Sequence, residues 1–295
     1  MNKVFFEFSN NKNLSLNLSK LIGSENAEFD YRKFPDGESY FNIHTDLTNK
    51  QIIIFTSLLS PNERLLDLIF IAKTVRELGA KSVGIVSPYL GYMRQDKKFK
   101  SGEALTSKIF AELINLYFDW LITVDPHLHR YKSLSELYSI PTKTLHAKEL
   151  LANWIKDNQK NSFLVGPDEE SDQWVSTVAN LADVKYCVAQ KQRLGDREVR
   201  ITFPKLSAPK ETPIVLVDDI ISSGYTMLES VKALYSMGYE NISCLAIHGI
   251  FVNKIDKSLL ELGVQNIITT NSISHQSNQI DLSHLIYSAI KEIKL

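Results

Sequence analysis

Four apolar residues, Ile214 to Val217, run directly into two adjacent acids, Asp218 and Asp219. A short apolar run rich in β-branched residues is typical of a strand buried on both faces of a parallel sheet. The acids are therefore expected at the carboxyl end of that strand, where open α/β sheets hold their ligands. Two abutting acids after a buried strand are costly without a partner, which favours a binding role.

The turn after the two acids reads Ser222-Ser223-Gly224-Tyr225-Thr226 and leads into a helical pattern. Its backbone amides and hydroxyls at a helix N-terminus suit a phosphate group. Carboxylates beside a phosphate cradle suit a sugar phosphate, because the acids can take sugar hydroxyls or Mg2+ while the amides take the phosphate. The alternative is an ordinary strand-to-helix turn with capping serines and solvated acids.

The composition is that of a soluble globular protein of one large domain or two ordinary ones, with 295 residues, 44% of them hydrophobic and 23% charged. The formal net charge of −1 argues against a broad surface for nucleic acid or anionic membranes. The two cysteines lie in apolar, strand-like runs, and the N-terminus lacks the apolar core of a signal peptide. We therefore expect a cytoplasmic protein without nucleic-acid or membrane partners.

Strand and helix patterns alternate along most of the chain, which predicts βαβ units and parallel sheets covered by helices. The predicted strands are 51–56, 83–87, 120–124, 162–166, 185–189, 213–217, 242–247 and 265–269. The predicted helices are 62–78, 104–117, 145–158, 171–182, 226–237 and 256–262.

An internal repeat indicates two related α/β domains. Residues 51–87 parallel residues 213–249 in strand, turn, helix, glycine and strand. The first copy has Thr56 and Ser57 where the second has its two acids, so only the second keeps the phosphate loop. The competing interpretation is that any two βαβ units look alike.

The repeat predicts two domains, each a mostly parallel sheet flanked by helices and related by pseudo-duplication. We expect the N-terminal domain over residues 1–144, joined by a C-terminal helix at 283–295. The second domain is expected over residues 145–282 and carries the phosphate loop.

Ligand-type residues also follow several other predicted strands. Arg94 and Gln95 come after one strand, where Arg94 could bind phosphate oxygens with its guanidinium fork. His127 and His129 follow the next strand, as in the metal sites of some hydrolases, although His129 is also compatible with a structural role. Asp168 occupies a third strand end.

Two further segments, each a turn or a hairpin, could take part in ligand binding or catalysis. Lys191 and Arg193 lie in a basic segment that could close over phosphates as a flap. The Pro-Asp-Gly sequence at 35–37 is strong turn chemistry and predicts a hairpin between two strands. Each segment alone has an ordinary structural explanation, but so many in one chain are hard to attribute to chance.

In this order and spacing the motifs resemble those of ribose-phosphate pyrophosphokinases, also called phosphoribosyl-pyrophosphate synthetases. The motifs are Phe34-Pro35-Asp36-Gly37-Glu38, Tyr92-Met93-Arg94-Gln95-Asp96-Lys97, Asp125-Pro126-His127, Gly166-Pro167-Asp168, Lys191-Gln192-Arg193 and Asp218 to Thr226. The resemblance covers about residues 30–270 and points to the shorter, archaeal-like branch of the family. It implies two domains of the phosphoribosyltransferase fold, a dimer-based homo-oligomer and Mg2+ as the cofactor.

The resemblance also implies a reaction and a role for each matching residue. The β,γ-diphosphoryl group of ATP would pass to the 1-hydroxyl of ribose 5-phosphate, giving 5-phosphoribosyl 1-pyrophosphate and AMP. The implied roles are ATP binding by Phe34, Asp36, Gly37, Glu38, Arg94, Gln95 and His127, metal contact by His127 and Asp168, catalysis by Lys191 and Arg193, and ribose 5-phosphate binding by Asp218, Asp219, Ser222, Ser223, Gly224, Tyr225 and Thr226.

Three positions depart from the better-known bacterial members of that family. Glu169-Glu170-Ser171 stands where a small, glycine-containing stretch is usual. Gln192 stands where a basic residue is frequent, and Tyr225 where glycine is common. The glutamate pair could alter metal or ribose binding, or could form only the acidic first turn of a helix.

Three other functions remain open at this level. A phosphoribosyltransferase would share the phosphate loop but would not need a nucleotide site in a second domain. A non-catalytic regulatory paralogue predicts damage at Lys191 or Arg193, and both are intact. A metal hydrolase built on His127 and His129 is the most distant alternative.

Overall fold

The structure is a computed structural model that describes residues 3–9, 11–193, 199–203 and 206–293, without the side chains of 191–193 and 199–200. The chain divides into two compact units. The first comprises Met1–Leu145 with Leu282–Leu295, and the second comprises His146–Asp281.

The N-terminal unit is built on a six-stranded parallel sheet. The strands of this unit are β1 (Lys3–Glu7), β2 (Glu25–Asn26), β3 (Phe29–Lys33), β4 (Ser39–Ile43), β5 (Gln51–Phe55), β6 (Ser82–Ser87), β7 (Trp120–Val124) and β8 (Thr142–Leu145). Its helices are α1 (Lys12–Ile22), α2 (Pro61–Glu77) and α3 (Thr106–Tyr117). The sheet order is β2-β1-β5-β6-β7-β8, and β3 pairs with β4 as an antiparallel hairpin.

The C-terminal unit contains a second parallel sheet, of order β10-β9-β13-β14-β15-β16. Its strands are β9 (Phe163–Gly166), β10 (Tyr186–Val188), β11 (Gln190–Arg193), β12 (Val199–Thr202), β13 (Ile214–Ile221), β14 (Ile242–Gly249), β15 (Asn266–Thr270) and β16 (Asn278–Ile280). Its helices are α4 (Lys148–Asn158), α5 (Asp172–Ala182), α6 (Tyr225–Ser236) and α7 (Ile255–Glu261). The last helix, α8 (Ser283–Glu292), packs on α1 and β8 of the N-terminal unit.

The two sheets have the same topology. When the strands of each sheet are numbered along the chain, both orders read 2-1-3-4-5-6. In both units an antiparallel hairpin, β3–β4 or β11–β12, lies between the second and third strands of the sheet. This confirms the pseudo-duplication and the α/β fold class that the sequence repeat predicted.

The buried strands follow from apolar runs, and the structure corrects several boundaries. Strands β5, β6 and β7 are buried along their whole length, as expected for the middle of a covered parallel sheet. The predicted start of a helix at residue 145 was wrong, because β8 ends there and α4 begins at Lys148. Within the described residues, none of the helices combines the length and apolar character that crossing a membrane requires.

A close contact between β6 and β7 makes Gly84 obligatory. A Cβ atom at this position would lie 1.8 Å from Cε2 of the Trp120 indole. Trp120 is fully buried, and no hydrogen-bond partner of its Nε1 is found among the described residues. The indole therefore stabilises the sheet by packing against the glycine backbone.

We expect Gly84→Ala to destabilise the protein by about 1–3 kcal/mol, the usual effect of overpacking a core. Urea denaturation measures the change. The control is Trp120→Phe, which shortens the facing side chain, and the Gly84→Ala/Trp120→Phe double variant should lose less stability than the sum of the two single variants. Additive losses would show that the alanine methyl group does not meet the indole.

Candidate functional site

The two acids of the C-terminal unit lie near the carboxyl end of β13 and are half-buried. The predicted end of this strand at residue 217 was wrong, because β13 continues to Ile221 by pairing with β14. Asp218 is paired with Ala246 across that ladder. Both acids therefore lie within the strand, near the carboxyl end where the sequence placed them.

Gly224 is required at the turn between β13 and α6. Its φ is +65°, and a Cβ atom would lie 2.2 Å from Cγ1 of Ile255. Helix α6 begins at Tyr225 without a side-chain cap on Gly224. The first amides of a helix have no partner within the helix, so this helix start can bind an anion.

Asp218 is electrostatically strained in the ligand-free protein. Burial raises the pKa of the Asp218 carboxyl well above its usual value, and the negative charges of Asp219 and Asp168 raise it further. The amide of Asp219 donates to Asp218 Oδ1 at 2.9 Å, which lowers that pKa in part. A cation or a ligand with hydroxyl donors would relieve this repulsion.

Asp168 follows β9, the parallel neighbour of β13. Its Oδ1 accepts from the amide of Ser171 at 3.2 Å, and its carbonyl accepts from Ser171 Oγ at 2.5 Å. A Cβ at Gly166 would lie 2.3 Å from the same Ser171 Oγ, so the turn is tightly packed. Residues Glu169–Ser171 form a single 3-10 turn before α5, so the Glu169-Glu170 departure lies in an acidic, exposed helix start.

The predicted flap is a hairpin of β11 and β12, in which Lys191 pairs with Ile201 and Arg193 with Val199. The side chains of Lys191 and Arg193 lie outside the described part of the structure. Residues 194–198, between the two strands, are likewise outside it. Lys191 and Arg193 are thus alternate residues of one extended strand, as the sequence predicted.

In the N-terminal unit the Pro-Asp-Gly sequence forms the tip of the β3–β4 hairpin, as predicted. The amide of Phe34 donates to the Glu38 carbonyl at 2.8 Å, and the amide of Gly37 donates to the Phe34 carbonyl at 2.9 Å. Gly37 has a φ of 93°, which favours glycine. Asp36 Oδ1 accepts from the Glu38 amide at 3.2 Å. All four residues are exposed and available to a ligand.

Arg32 and two aromatic rings form a cluster beside this tip. The guanidinium carbon of Arg32 lies 4.4 Å from the Phe34 ring centroid and 4.6 Å from the Tyr40 ring centroid. The two rings meet edge to face at 6.2 Å. Cation–π contact with Arg32 restricts the Phe34 ring while leaving 37% of the residue exposed.

The hairpin is anchored on α2 by a buried carboxylate that sequence reasoning missed. Asp67 accepts from the Tyr31 hydroxyl at 2.8 Å and from the Ser39 hydroxyl, and only 2% of the residue is exposed. Burial and the Asp67 hydrogen bond raise the pKa of Tyr31. Both strands of the hairpin are therefore tied to one side chain.

Asp96 joins the Arg94-Gln95 loop to the loop that carries the histidines. Its carboxylate is nearly inaccessible and accepts from Arg130 Nη1 at 2.7 and 3.0 Å. The carbonyl of Asp96 accepts from the Tyr131 hydroxyl at 3.3 Å. Sequence reasoning missed this pair, because the two partners are far apart in the chain. Arg94 is exposed, and Gln95 Oε1 accepts from the Thr106 hydroxyl at 2.9 Å.

His127 and His129 face the same way, as their spacing in an extended segment predicted. Their rings are nearly parallel, with centroids 5.9 Å apart. Nδ1 of His129 lies 3.8 Å from Oδ2 of Asp96. In the described ranges, no three side chains of His, Cys, Asp or Glu come together as a metal-ion site. The arrangement gives no support to a binuclear hydrolase centre.

The N-terminal counterpart of the phosphate loop lacks the features that would let it bind a phosphate. Helix α2 begins with Pro61, which has no amide hydrogen, and carries Glu63 in its first turn. An open cavity of about 400 Å³ lies here, lined by Ser60, Pro61, Asn62, Glu63 and Tyr92. A missing amide and an added carboxylate both disfavour an anion, so this copy is unsuited to phosphate.

Two family models match the chain. Residues 3–117 match the N-terminal domain of ribose phosphate pyrophosphokinase. Residues 133–284, about half of the chain, match the phosphoribosyl transferase domain. These matches confirm that each unit has a phosphoribosyltransferase-like fold.

Relatives and a solved structure agree with these matches. A ribose-phosphate pyrophosphokinase of Sulfurisphaera tokodaii is 31% identical over 90% of this chain and 91% of its own. One of Methanobrevibacter smithii is 27% identical over 96% of this chain and 98% of its own. The crystal structure of phosphoribosylpyrophosphate synthetase from Mycobacterium smegmatis superposes with a TM-score of 0.85 at 21% identity, covering 99% of this chain and 98% of that one. The resemblance drawn from the motifs is confirmed.

Removing the charge of Asp218 should stabilise the ligand-free protein. The raised pKa means that the folded protein resists ionising Asp218, so stability falls as pH rises above the usual aspartate value of 3.8 towards the raised value. Asp218→Asn should therefore raise stability near neutral pH by roughly 0.5–2 kcal/mol, the range of single stabilising substitutions.

Thermal denaturation between pH 3 and pH 8 measures this difference. The gain should disappear below the usual aspartate pKa, where the Asp218 carboxyl is protonated in both states. Asp281→Asn, at an exposed position after β16, is the matched control and should show no comparable gain. Destabilisation of the Asp218→Asn variant at neutral pH would contradict the electrostatic analysis.

Proposed function

The chain belongs to the ribose-phosphate pyrophosphokinase family, and we propose that it transfers the β,γ-diphosphoryl group of ATP to the 1-hydroxyl of ribose 5-phosphate. The products are 5-phosphoribosyl 1-pyrophosphate and AMP. One observation carries the proposal: two half-buried acids on β13 precede an uncapped helix start whose turn requires Gly224. This arrangement suits a phosphorylated sugar.

In this proposal Asp218 and Asp219 accept hydrogen bonds from the ribose hydroxyls. The raised pKa of Asp218 supports this role, because hydroxyl donors favour the charged carboxylate that burial and its neighbours oppose. The 5-phosphate binds the turn Ser222 to Thr226, where the free amides and the positive end of α6 are directed at the anion. Gly224 is needed in this turn because of its positive φ and its close contact with Ile255.

The nucleotide is assigned to the N-terminal unit. The exposed hairpin tip offers Phe34 as a ring for the adenine, with Asp36, Gly37 and Glu38 as polar contacts. Arg94, Gln95 and His127 are the candidates for the polyphosphate. Support comes from the ion pair between the buried Asp96 carboxylate and the exposed Arg130, which ties the loop of Arg94 to that of His127.

Catalysis needs positioning and positive charge, and no covalent intermediate. The oxygen of the 1-hydroxyl attacks the β-phosphorus in line, the bond from that phosphorus to the α,β-bridging oxygen breaks, and the hydroxyl proton is released. AMP leaves with the bridging oxygen. Lys191 and Arg193 on β11 are proposed to neutralise the charge that develops on the transferring phosphates.

Mg2+ is the proposed metal, and the family resemblance assigns one metal contact to Asp168 and another to His127. The carboxylates around Asp218 provide the oxygen donors that Mg2+ prefers, together with water and substrate phosphates. A His127 nitrogen is a weaker ligand for this ion, so its main contact is assigned to the nucleotide phosphates. When bound, the metal neutralises phosphate charge and orients the diphosphoryl group.

A dimer-based homo-oligomer and a cytoplasmic location complete the proposal. Large apolar side chains of α2 and α3 are exposed, Leu66 by 62% and Leu116 by 70%, which supports association between copies. Both cysteines are buried thiols, which suits a reducing compartment. Sedimentation equilibrium tests the assembly. A measured mass equal to that of one chain would contradict the proposed oligomer.

The direct test is incubation with ATP, Mg2+ and ribose 5-phosphate, followed by chromatography of the nucleotides. Formation of AMP together with 5-phosphoribosyl 1-pyrophosphate is the expected result. Formation of ADP would indicate a simple kinase and contradict the proposal. A phosphoribosyltransferase would instead consume 5-phosphoribosyl 1-pyrophosphate when a nucleobase is supplied.

Lys191→Ala should lower turnover by roughly 100-fold or more, because it removes a positive charge aimed at the transition state. Ribose 5-phosphate binding should survive, since the cradle lies on β13 and α6. Steady-state kinetics and calorimetric titration measure the two quantities. Lys185→Ala, at an exposed position before β10, is the matched control and should keep normal turnover. Near-normal turnover of Lys191→Ala would remove the flap from the mechanism.

A further inference from the structure

The turn that follows β14 has an unusual backbone. Phe251, Asn253 and Lys254 have φ angles of 52°, 56° and 58°. Residues with a Cβ atom seldom adopt such angles, and they do so where surrounding contacts impose them. Three of the four residues from Phe251 to Lys254 share that conformation. Its contacts show what maintains it.

The backbone of this turn is hydrogen-bonded to the start of the phosphate loop. The amide of Phe251 donates to the Ile221 carbonyl at 3.1 Å, and the amide of Val252 donates to the Ser222 carbonyl at 3.0 Å. Ile221 is the last residue of β13, and Ser222 is the first of the loop. The turn therefore fixes the point at which the phosphate loop leaves the sheet.

A side-chain contact fixes the loop at a second point. Ile255, directly after the turn, packs against Gly224 so closely that a Cβ on the glycine would lie 2.2 Å from its Cγ1. Ile255 is nearly buried at 9% exposure. The turn and Ile255 thus support both ends of the Ser222–Gly224 segment.

His275 anchors the turn from the other side. Its ring centroid lies 4.3 Å from that of Phe251. Its Nδ1 lies 3.2 Å from the Ser277 amide nitrogen, and its Nε2 lies 3.5 Å from Asp256 Oδ2. These contacts fix the orientation of the His275 ring and, through the tilted contact between the two rings, the position of Phe251.

We propose that the turn Phe251–Lys254 and its anchor His275 are positioning elements for ribose 5-phosphate. They hold the Ser222–Thr226 loop in the conformation that receives the 5-phosphate, without touching the ligand themselves. This inference rests on the proposed function for the identity of the ligand. Because all of these contacts lie within the C-terminal unit, their loss should affect ribose 5-phosphate and leave ATP binding unchanged.

Asn253 offers a test that leaves the buried contacts intact, because its side chain is exposed. A β-branched residue strongly disfavours positive φ, whereas glycine adopts it freely. Asn253→Val should raise the KM for ribose 5-phosphate about tenfold and leave the KM for ATP within about twofold. Asn253→Gly, the matched control, should keep both constants within about twofold of the parent protein.

His275→Ala tests the anchor, with the exposed His284→Ala as its control. The His275 variant should raise the KM for ribose 5-phosphate at least fivefold, and calorimetric titration with ribose 5-phosphate alone should show the same loss. A merely structural role would lower the active fraction, and hence kcat, without moving either constant. If the His275 variant does not fold, the Asn253 pair decides.

The outcomes separate this inference from the proposed function. A parent protein that makes AMP, with an unchanged KM for ribose 5-phosphate in the Asn253→Val and His275→Ala variants, overturns the inference alone. Equal increases in the KM for ATP and ribose 5-phosphate overturn it as well. A parent protein that neither makes AMP nor binds ribose 5-phosphate overturns the proposed function, and the inference with it.

Discussion

Parallel pairing of β13 with β9 and β14 is the constraint on which the C-terminal unit depends. The register aligns Leu216 with Val165 on one side and Asp218 with Ala246 on the other. Because neighbouring parallel strands end at the same edge of a sheet, three segments distant in sequence meet there. They are the turn of Asp168, the acids of β13 and the turn after β14. The ligand-type residues are thus brought together by backbone pairing, before any side chain contributes.

This edge of the sheet is maintained against local costs. Burial and like charges oppose ionisation of Asp218, and the turn after β14 places Phe251 and Asn253 at positive φ. Neither feature stabilises the fold, and both are expected where pre-organisation for a ligand is favoured over stability. The buried strands and the helices packed on them compensate, so the unfavourable groups remain in a fixed geometry.

Patterns of apolar residues predicted the centre of each sheet but not its edges or its strained turn. The wholly buried β5, β6 and β7 were predicted to within one residue at each end. The edge strand β8 reads Thr-Lys-Thr-Leu and was missed, because an edge strand needs no continuous apolar run. Positive φ angles at residues such as Phe251 and Lys254 have no sequence signal, since tertiary contacts impose them. The motifs identified the acids and the phosphate loop, whereas the Asp96–Arg130 pair could be recognised only from the structure, because its partners are far apart in the chain.

The duplicated topology explains how one scaffold can provide for two substrates. Each unit has a hairpin between the second and third strands of its sheet and a turn from the third strand into a helix. The proposed nucleotide contact uses the hairpin of the N-terminal unit, and the proposed ribose 5-phosphate contact uses the turn of the C-terminal unit. The N-terminal copy has Pro61 and Glu63 at its helix start, which disfavour an anion, and in the proposed function it offers its hairpin tip at Phe34 to the nucleotide instead. The C-terminal copy keeps Gly224 and an uncapped helix start. A second intact cradle would compete for the same sugar phosphate. In the proposed function, the absence of a second cradle is therefore what lets the two copies bind different substrates.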